Sequence, residues 1–176
     1  MKRSVVVILA LGIVAAGAIG SGLWYAEQQS LAAKPDVHAA GDMLVKRGLL
    51  SRIDRVDYYS AGPVFYVYTG VDDSGRVAYV WVQGGQPVMK QYADDGLSAT
   101  QAMRAAAAAQ PPLVQLIHAV PGLTEPGASG PGDPPGTSSQ RRVLWELFGL
   151  TRQGAYEYVY VDFHTGAVVR TYLLES

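Results

Sequence analysis

The residues best able to do chemistry are few. Asp162-Phe163-His164 sets a carboxylate two positions from an imidazole. On an extended strand both would share one face, roughly 6–7 Å apart. An acid–base pair of that kind still needs a nucleophile and a third, orienting group. The next residues, Thr165-Gly166, have turn composition, with glycine free to take a positive φ. The segment therefore reads as a structural turn. Asp72-Asp73-Ser74-Gly75 resembles the opening of a calcium loop but lacks the later ligand positions and the closing Glu, so it reads as a hairpin turn. Asp94-Asp95-Gly96 reads as a turn whose charges complement the start of a helix beginning after Ser98. His118 lies in an apolar run and reads as a packed side chain, His38 is remote from both other imidazoles, and Arg141-Arg142 reads as a solvated strand edge. There is no GxGxxG, Gly-x-Ser-x-Gly or HExxH. Absence of Cys removes disulfides, thiolate metal ligands and Cys nucleophiles. No catalytic, cofactor-binding or metal-ligating residue is assigned, no cofactor is expected, and the partner-binding residues are left open. The expectation is a protein that is not an enzyme.

The elements that would carry these residues begin with an anchor. Lys2 and Arg3 precede an apolar run over residues 5–26, closed by Trp24, Tyr25 and Ala26. The run is long enough to cross a hydrocarbon core of about 30 Å as a helix, and the aromatic pair suits the interface. The positive-inside rule keeps the amino terminus cytoplasmic and the remainder extracytoplasmic. A cleaved signal peptide, with Ala16, Ala18 and Gly20 as small residues for a peptidase, is the rival reading. The retained anchor is favoured because the run exceeds the ~7–15 residues of a signal-peptide core. Overall charge is −1, and charged residues make up 16% of the chain. That balance excludes a basic nucleic-acid footprint and a long disordered charged chain. No small-molecule substrate is implied.

Beyond the anchor the pattern occurs twice. Asp36 suits the N-cap of a helix over 37–47, with Gly48 as its stop. Period-two segments follow at 53–59, 64–68, 77–82 and 87–91, separated by Ala61-Gly62-Pro63, the Asp72 turn and Gly84-Gly85. Ser98-x-x-Gln101 then forms a capping-box signature before an Ala-rich helix over 101–109, which Pro111-Pro112 ends. Strands are expected at 113–120, 142–148, 156–161 and 167–173. Tyr66 precedes Tyr79 by 13 positions, and Trp145 precedes Tyr158 by the same interval. This is read as two copies of one module, each a helix packed on an antiparallel four-stranded sheet. The expected organisation is a tail and transmembrane anchor over 1–26, a first module over 27–93 and a second over 94–176. Residues 121–136 hold five Pro and five Gly and read as a long hairpin loop, incompatible with a helix or central strand.

These residues carry a resemblance. Tyr66-Val67-Tyr68-Thr69-Gly70 with its Asp-Ser-Gly turn, Ala78-Tyr79-Val80-Trp81-Val82, Gly96-Leu97-Ser98, Leu144-Trp145-Glu146 and Tyr158-Val159-Tyr160-Val161-Asp162-Phe163-His164-Thr165-Gly166 are similar to the pattern of the TseB-like cell-wall elongation regulators of Gram-positive bacteria. The resemblance implies an α+β chain with an N-terminal transmembrane helix and two cystatin-like (PepSY-like) modules. It further implies a single-pass cell-membrane protein that binds a class B penicillin-binding transpeptidase, or another wall-elongation protein, and influences peptidoglycan synthesis. The alternative is a PepSY-type protease inhibitor or propeptide-like chaperone. The chain departs from the pattern at the Pro/Gly segment 121–136 and in the run Ala105 to Ala109, which puts in doubt any contact that this helix makes in relatives.

Overall fold

The computed structural model describes residues 36–61, 64–107, 112–124 and 141–174. The apolar run over 5–26, and most of the segment 121–136, lie outside them. Residues Val37–Ser176 belong to one compact unit. It is an α+β structure with two four-stranded antiparallel meanders.

The first module is helix α1 (Val37–Lys46) followed by β1 (Arg52–Tyr59), β2 (Phe65–Val71), β3 (Val77–Gln83) and β4 (Gln86–Tyr92), in the spatial order β1-β2-β3-β4. Gly48 stops α1 with a φ of 67°, which favours a residue without a Cβ. Along β2 and β3, side chains alternate between two apolar faces. Tyr68, Ala78, Val80 and Val82 pack under Ala40 and Leu44 of α1. Phe65, Val67, Tyr79 and Trp81 belong to a second cluster on the opposite face. Both faces are therefore covered, which is why these strands read as near-continuous apolar runs.

A short 3-10 turn (Ala93–Asp95) leads to helix α2 (Ala99–Ala106), then β5 (Leu113–Leu123), β6 (Val143–Thr151), β7 (Tyr156–Asp162) and β8 (Val168–Leu174), again in chain order across the sheet. The capping box is complete: Gln101 N donates to Ser98 Oγ at 3.3 Å, and Ser98 N donates to Gln101 Oε1 at 2.8 Å. The two satisfy first-turn donors that no helical carbonyl can reach. Ala102 and Ala106 of α2 are fully buried in one cluster with Leu147, Val159 and Val161.

The duplication is visible in detail. A shift of 79 residues lays Tyr66 on Trp145, and β3 on β7 end to end. The same shift lays the turn Asp72–Arg76 on Thr151–Ala155. In one, Asp72 N donates to Arg76 O at 3.0 Å; in the other, Thr151 N donates to Ala155 O at 2.8 Å. Both turns place a glycine at positive φ, Gly75 at 81° and Gly154 at 85°. The irregularity between Trp81 and Val82 recurs between Tyr160 and Val161. Gly70 and Gly149 are also equivalent, and each sits beside a bulge in the adjacent strand. A Cβ would overlap the Arg52 carbonyl in one case and the Gln115 carbonyl in the other.

The expected loop at 121–136 needs one correction. Strand β5 continues through Pro121, Gly122 and Leu123, which pair with Trp145, Leu144 and Val143. Proline is tolerated because β5 is an edge strand. Gly122 is required because a Cβ there would enter the Tyr59 ring of the first module.

A candidate interaction surface

Most residues singled out for possible chemistry prove to be staples. Asp72 accepts bonds from Ser74 N (2.9 Å), Ser74 Oγ (2.6 Å), Tyr92 Oη (2.8 Å) and Lys90 Nζ (3.1 Å). The Ser74 hydroxyl first, then Tyr92 and Lys90, hold its carboxyl well below the usual carboxylate range. Asp162 has the same task in the other sheet. Its Oδ1 accepts from Thr165 N (2.8 Å), Thr165 Oγ1 (2.9 Å) and His164 N (3.1 Å), and its Oδ2 accepts from Arg142 at 2.9 Å. Burial opposes its charge, but those bonds together still leave the carboxyl below its ordinary value. His164 is exposed with its ring against Phe163, so Asp162 and His164 form a turn rather than an acid–base pair.

Two expectations change. Asp94 and Asp95 both accept bonds from Arg76 in the β2–β3 turn, so they tie the linker to the first sheet rather than serving a helix start. Arg141 and Arg142 are not a solvated edge. Arg142 pairs with the buried Asp162, and the Arg141 guanidinium lies 5.9 Å from the Phe65 ring centre across the module boundary. Sequence spacing could not show either pairing, because the partners lie 18 to 20 positions apart or in the other module.

The modules meet through aromatic rings and one strand. Tyr79 stands edge-on to Trp145 (5.9 Å) and Phe163 (6.3 Å). The Trp81 indole, with no exposed surface, donates to the Pro121 carbonyl at 2.8 Å. Tyr59 packs on Gly122. The end of β5 thus pairs within the second sheet while lying over the first.

Close to this seam is a polar cluster that sequence reading missed. Glu146, only 6% exposed, accepts from Tyr160 Oη at 2.9 Å and contacts His118 Nε2 at 3.3 Å. Burial, reinforced by the Glu146 charge, pushes the Tyr160 phenol above its ordinary value, so Tyr160 remains the donor. Burial and the same carboxylate also raise Tyr59. The signal available in the sequence was a charged residue inside the apolar run of β6. A buried carboxylate in such a run needs partners.

Glu146 lies, buried, on the helix-free side of the second sheet. His118, Phe148, Tyr158 and Tyr160 form a continuous row of ring contacts, with Phe148 and Tyr158 only 4.5 Å apart. Tyr156 stacks on Phe148 at one end, and Tyr172 meets Tyr160 edge-on at the other. Tyr156 is 49% exposed and Tyr172 40%. Among the described residues nothing covers this end of the sheet. It offers a broad aromatic surface with hydroxyl tips, a composition suited to macromolecular contact. The described residues contain no group of three or more His, Cys, Asp or Glu placed to hold a metal ion.

Comparison with known proteins agrees with this architecture. The chain is 25% identical over 146 residues to "Probable cell wall elongation regulator TseB" of Bacillus subtilis (strain 168), and the alignment spans 81% of each protein. The solved structure of the YpmB protein from Bacillus subtilis matches with a TM-score of 0.61 over 80% of this chain and 99% of that one; at 23% identity this likeness concerns the fold. No family model matches the chain. By sequence along four-fifths of its length, and by a fold of two antiparallel four-stranded sheets, the chain resembles the TseB-like cell-wall elongation regulators.

Proposed function

We propose that this chain is a membrane-anchored extracytoplasmic interaction protein that regulates cell-wall elongation by binding a class B penicillin-binding transpeptidase. The observation that carries this reading is the similarity, over 81% of each protein, to a protein named as a probable wall-elongation regulator. The anchor read over residues 5–26 would hold both modules near the outer membrane surface. Confinement to two dimensions raises the effective concentration of such a protein around other membrane proteins. The aromatic face of the second sheet supplies area for contact, and the staple roles of Asp72 and Asp162 leave those carboxylates committed to turns.

The test is affinity purification of the full-length chain from crosslinked membranes, followed by mass spectrometry. Enrichment of a class B transpeptidase is expected. Recovery of neither a transpeptidase nor any other elongation protein would overturn the reading.

A further inference from the structure

The four sheet edges among the described residues are not alike. A free edge presents unpaired backbone donors and acceptors, and folded proteins usually blunt it with charge, proline or bulges. Edge β1 carries the ion pairs Arg52–Asp54 and Arg55–Asp57 and a bulge between Ile53 and Arg55. Edge β4 carries Pro87, and its Lys90 is held by Asp72. Edge β5 has two bulges and Pro121, and its end lies against the first module. Edge β8 reads Val-Val-Arg-Thr-Tyr-Leu-Leu, with no proline, a single charge and one bulge near its start, where Val168 and Arg170 oppose the consecutive Val161 and Tyr160. Among the described residues no strand pairs with its outer side. Val168, Tyr172, Leu173 and Leu174 on it are exposed.

The chemistry beside this edge narrows what could occupy it. Arg170 and Tyr172 lie on the open aromatic face, with the guanidinium 4.1 Å from the Tyr172 ring centre. Arg170 forms no ion pair among the described residues. The adjacent strand supplies the half-buried Tyr158 on the same face, while Tyr160 beside it is buried. An added strand would therefore send alternate side chains over an aromatic floor and one of them past an unpaired cation. A second copy of the chain fits less well, because its Val168–Leu174 would bring another Arg170 and no carboxylate; the nearest one in sequence, Glu175, follows the end of the strand.

We propose that β8 is a docking edge for an extended peptide segment of a partner protein, with alternating apolar residues and one carboxylate that faces Arg170. This inference rests on the reading of the chain as an interaction protein and assigns its contact surface. Main-chain bonds to β8 would supply most of the affinity, and the aromatic floor and Arg170 the selectivity.

The test uses the purified full-length chain in detergent micelles and a fluorescent ten-residue probe of alternating Val and Thr with one central Glu. Saturable binding is expected. It should weaken roughly tenfold when alternate probe amides are N-methylated. It should also weaken roughly tenfold in Arg170→Glu, and a probe with Lys in place of Glu should recover that loss. Equal affinity for the N-methylated probe, or no response to the charge exchange, would overturn the proposal. Doubling of the chain's mass in sedimentation, abolished by Arg170→Glu, would also overturn it, by making a second copy the occupant. Any of these failures leaves recovery of a transpeptidase from membranes unaffected, so the two readings fail separately.

Discussion

The same face of the same sheet meets opposite fates in the two modules. In the first, Phe65, Val67, Tyr79 and Trp81 are buried under the end of β5, Trp145 and Phe163. In the second, the equivalent positions are Leu144, Glu146, Tyr158 and Tyr160, and the surface is sealed only near Glu146 and Tyr160. Further along it stays open at Tyr156 and Tyr172. Phe163 helps to explain the asymmetry. The β3–β4 turn is the two-residue Gly84-Gly85 hairpin, with both glycines at positive φ. The equivalent β7–β8 turn is longer, running from Phe163 to Ala167. The longer turn supplies Phe163, which is fully buried against Tyr79 of the opposing sheet, Trp145 of its own sheet and Gly96 of the linker. Duplication thus created two interaction faces, and a longer turn in one copy helped to bury the face of the other.

If that contrast is correct, substitutions on the covered face and on the open face should differ in stability cost. Trp81→Ala should be the most damaging, at about 3–5 kcal/mol in chemical denaturation, because it removes a fully buried indole and orphans the Pro121 carbonyl. Gly122→Ala should cost about 1–3 kcal/mol by driving a Cβ into the Tyr59 ring. Tyr160→Phe should cost about 1–3 kcal/mol by leaving Glu146 one donor short. Tyr156→Ala, on the open face, should fall within about 0.5 kcal/mol while leaving the thermal unfolding curve almost unchanged. Comparable losses for Trp81→Ala and Tyr156→Ala would erase the distinction between a covered and an uncovered face.

Titration gives a further test. The folded carboxyls of Asp72 and Asp162 lie below their unfolded values, so the stability they contribute is present above about pH 4 and is lost as pH falls through the folded values. Asp72→Asn and Asp162→Asn should each narrow the gap between urea midpoints measured at pH 7 and pH 3. Glu157 has the opposite sign. It replaces the buried Ala78 of the first sheet, its Oε2 lacks a hydrogen-bond partner among the described residues, and burial raises its carboxyl. Its burden therefore grows as pH rises through the usual carboxylate range. Glu157→Gln should raise the midpoint at pH 7, with a gain that shrinks toward pH 4.

Local chemistry made much of the fold readable. The capping box at Ser98, the stop at Gly48 and the alternation around Tyr66 and Tyr79 act within a few residues, and the observed elements follow them closely. The equal spacing of Tyr66–Tyr79 and Trp145–Tyr158 reflects a hairpin length kept in both copies. What escaped notice was nonlocal. Glu146 finds His118 28 positions away and Tyr160 on the adjoining strand. Arg76 reaches back from a hairpin turn to Asp94. Proline content suggested that β5 would end before Pro121, but composition alone could not reveal that Pro121 occupies an edge and Gly122 faces Tyr59. The open aromatic face was also hidden, because alternation marks two faces without saying which one a sister module will cover.

The final residues of β5 belong to two structures at once: they complete one sheet's ladder and roof the other. Melting either half would tear away part of its neighbour's shelter, so the pair should come apart in a single step on heating, and a fragment ending before that strand would be left with a bare, sticky flank.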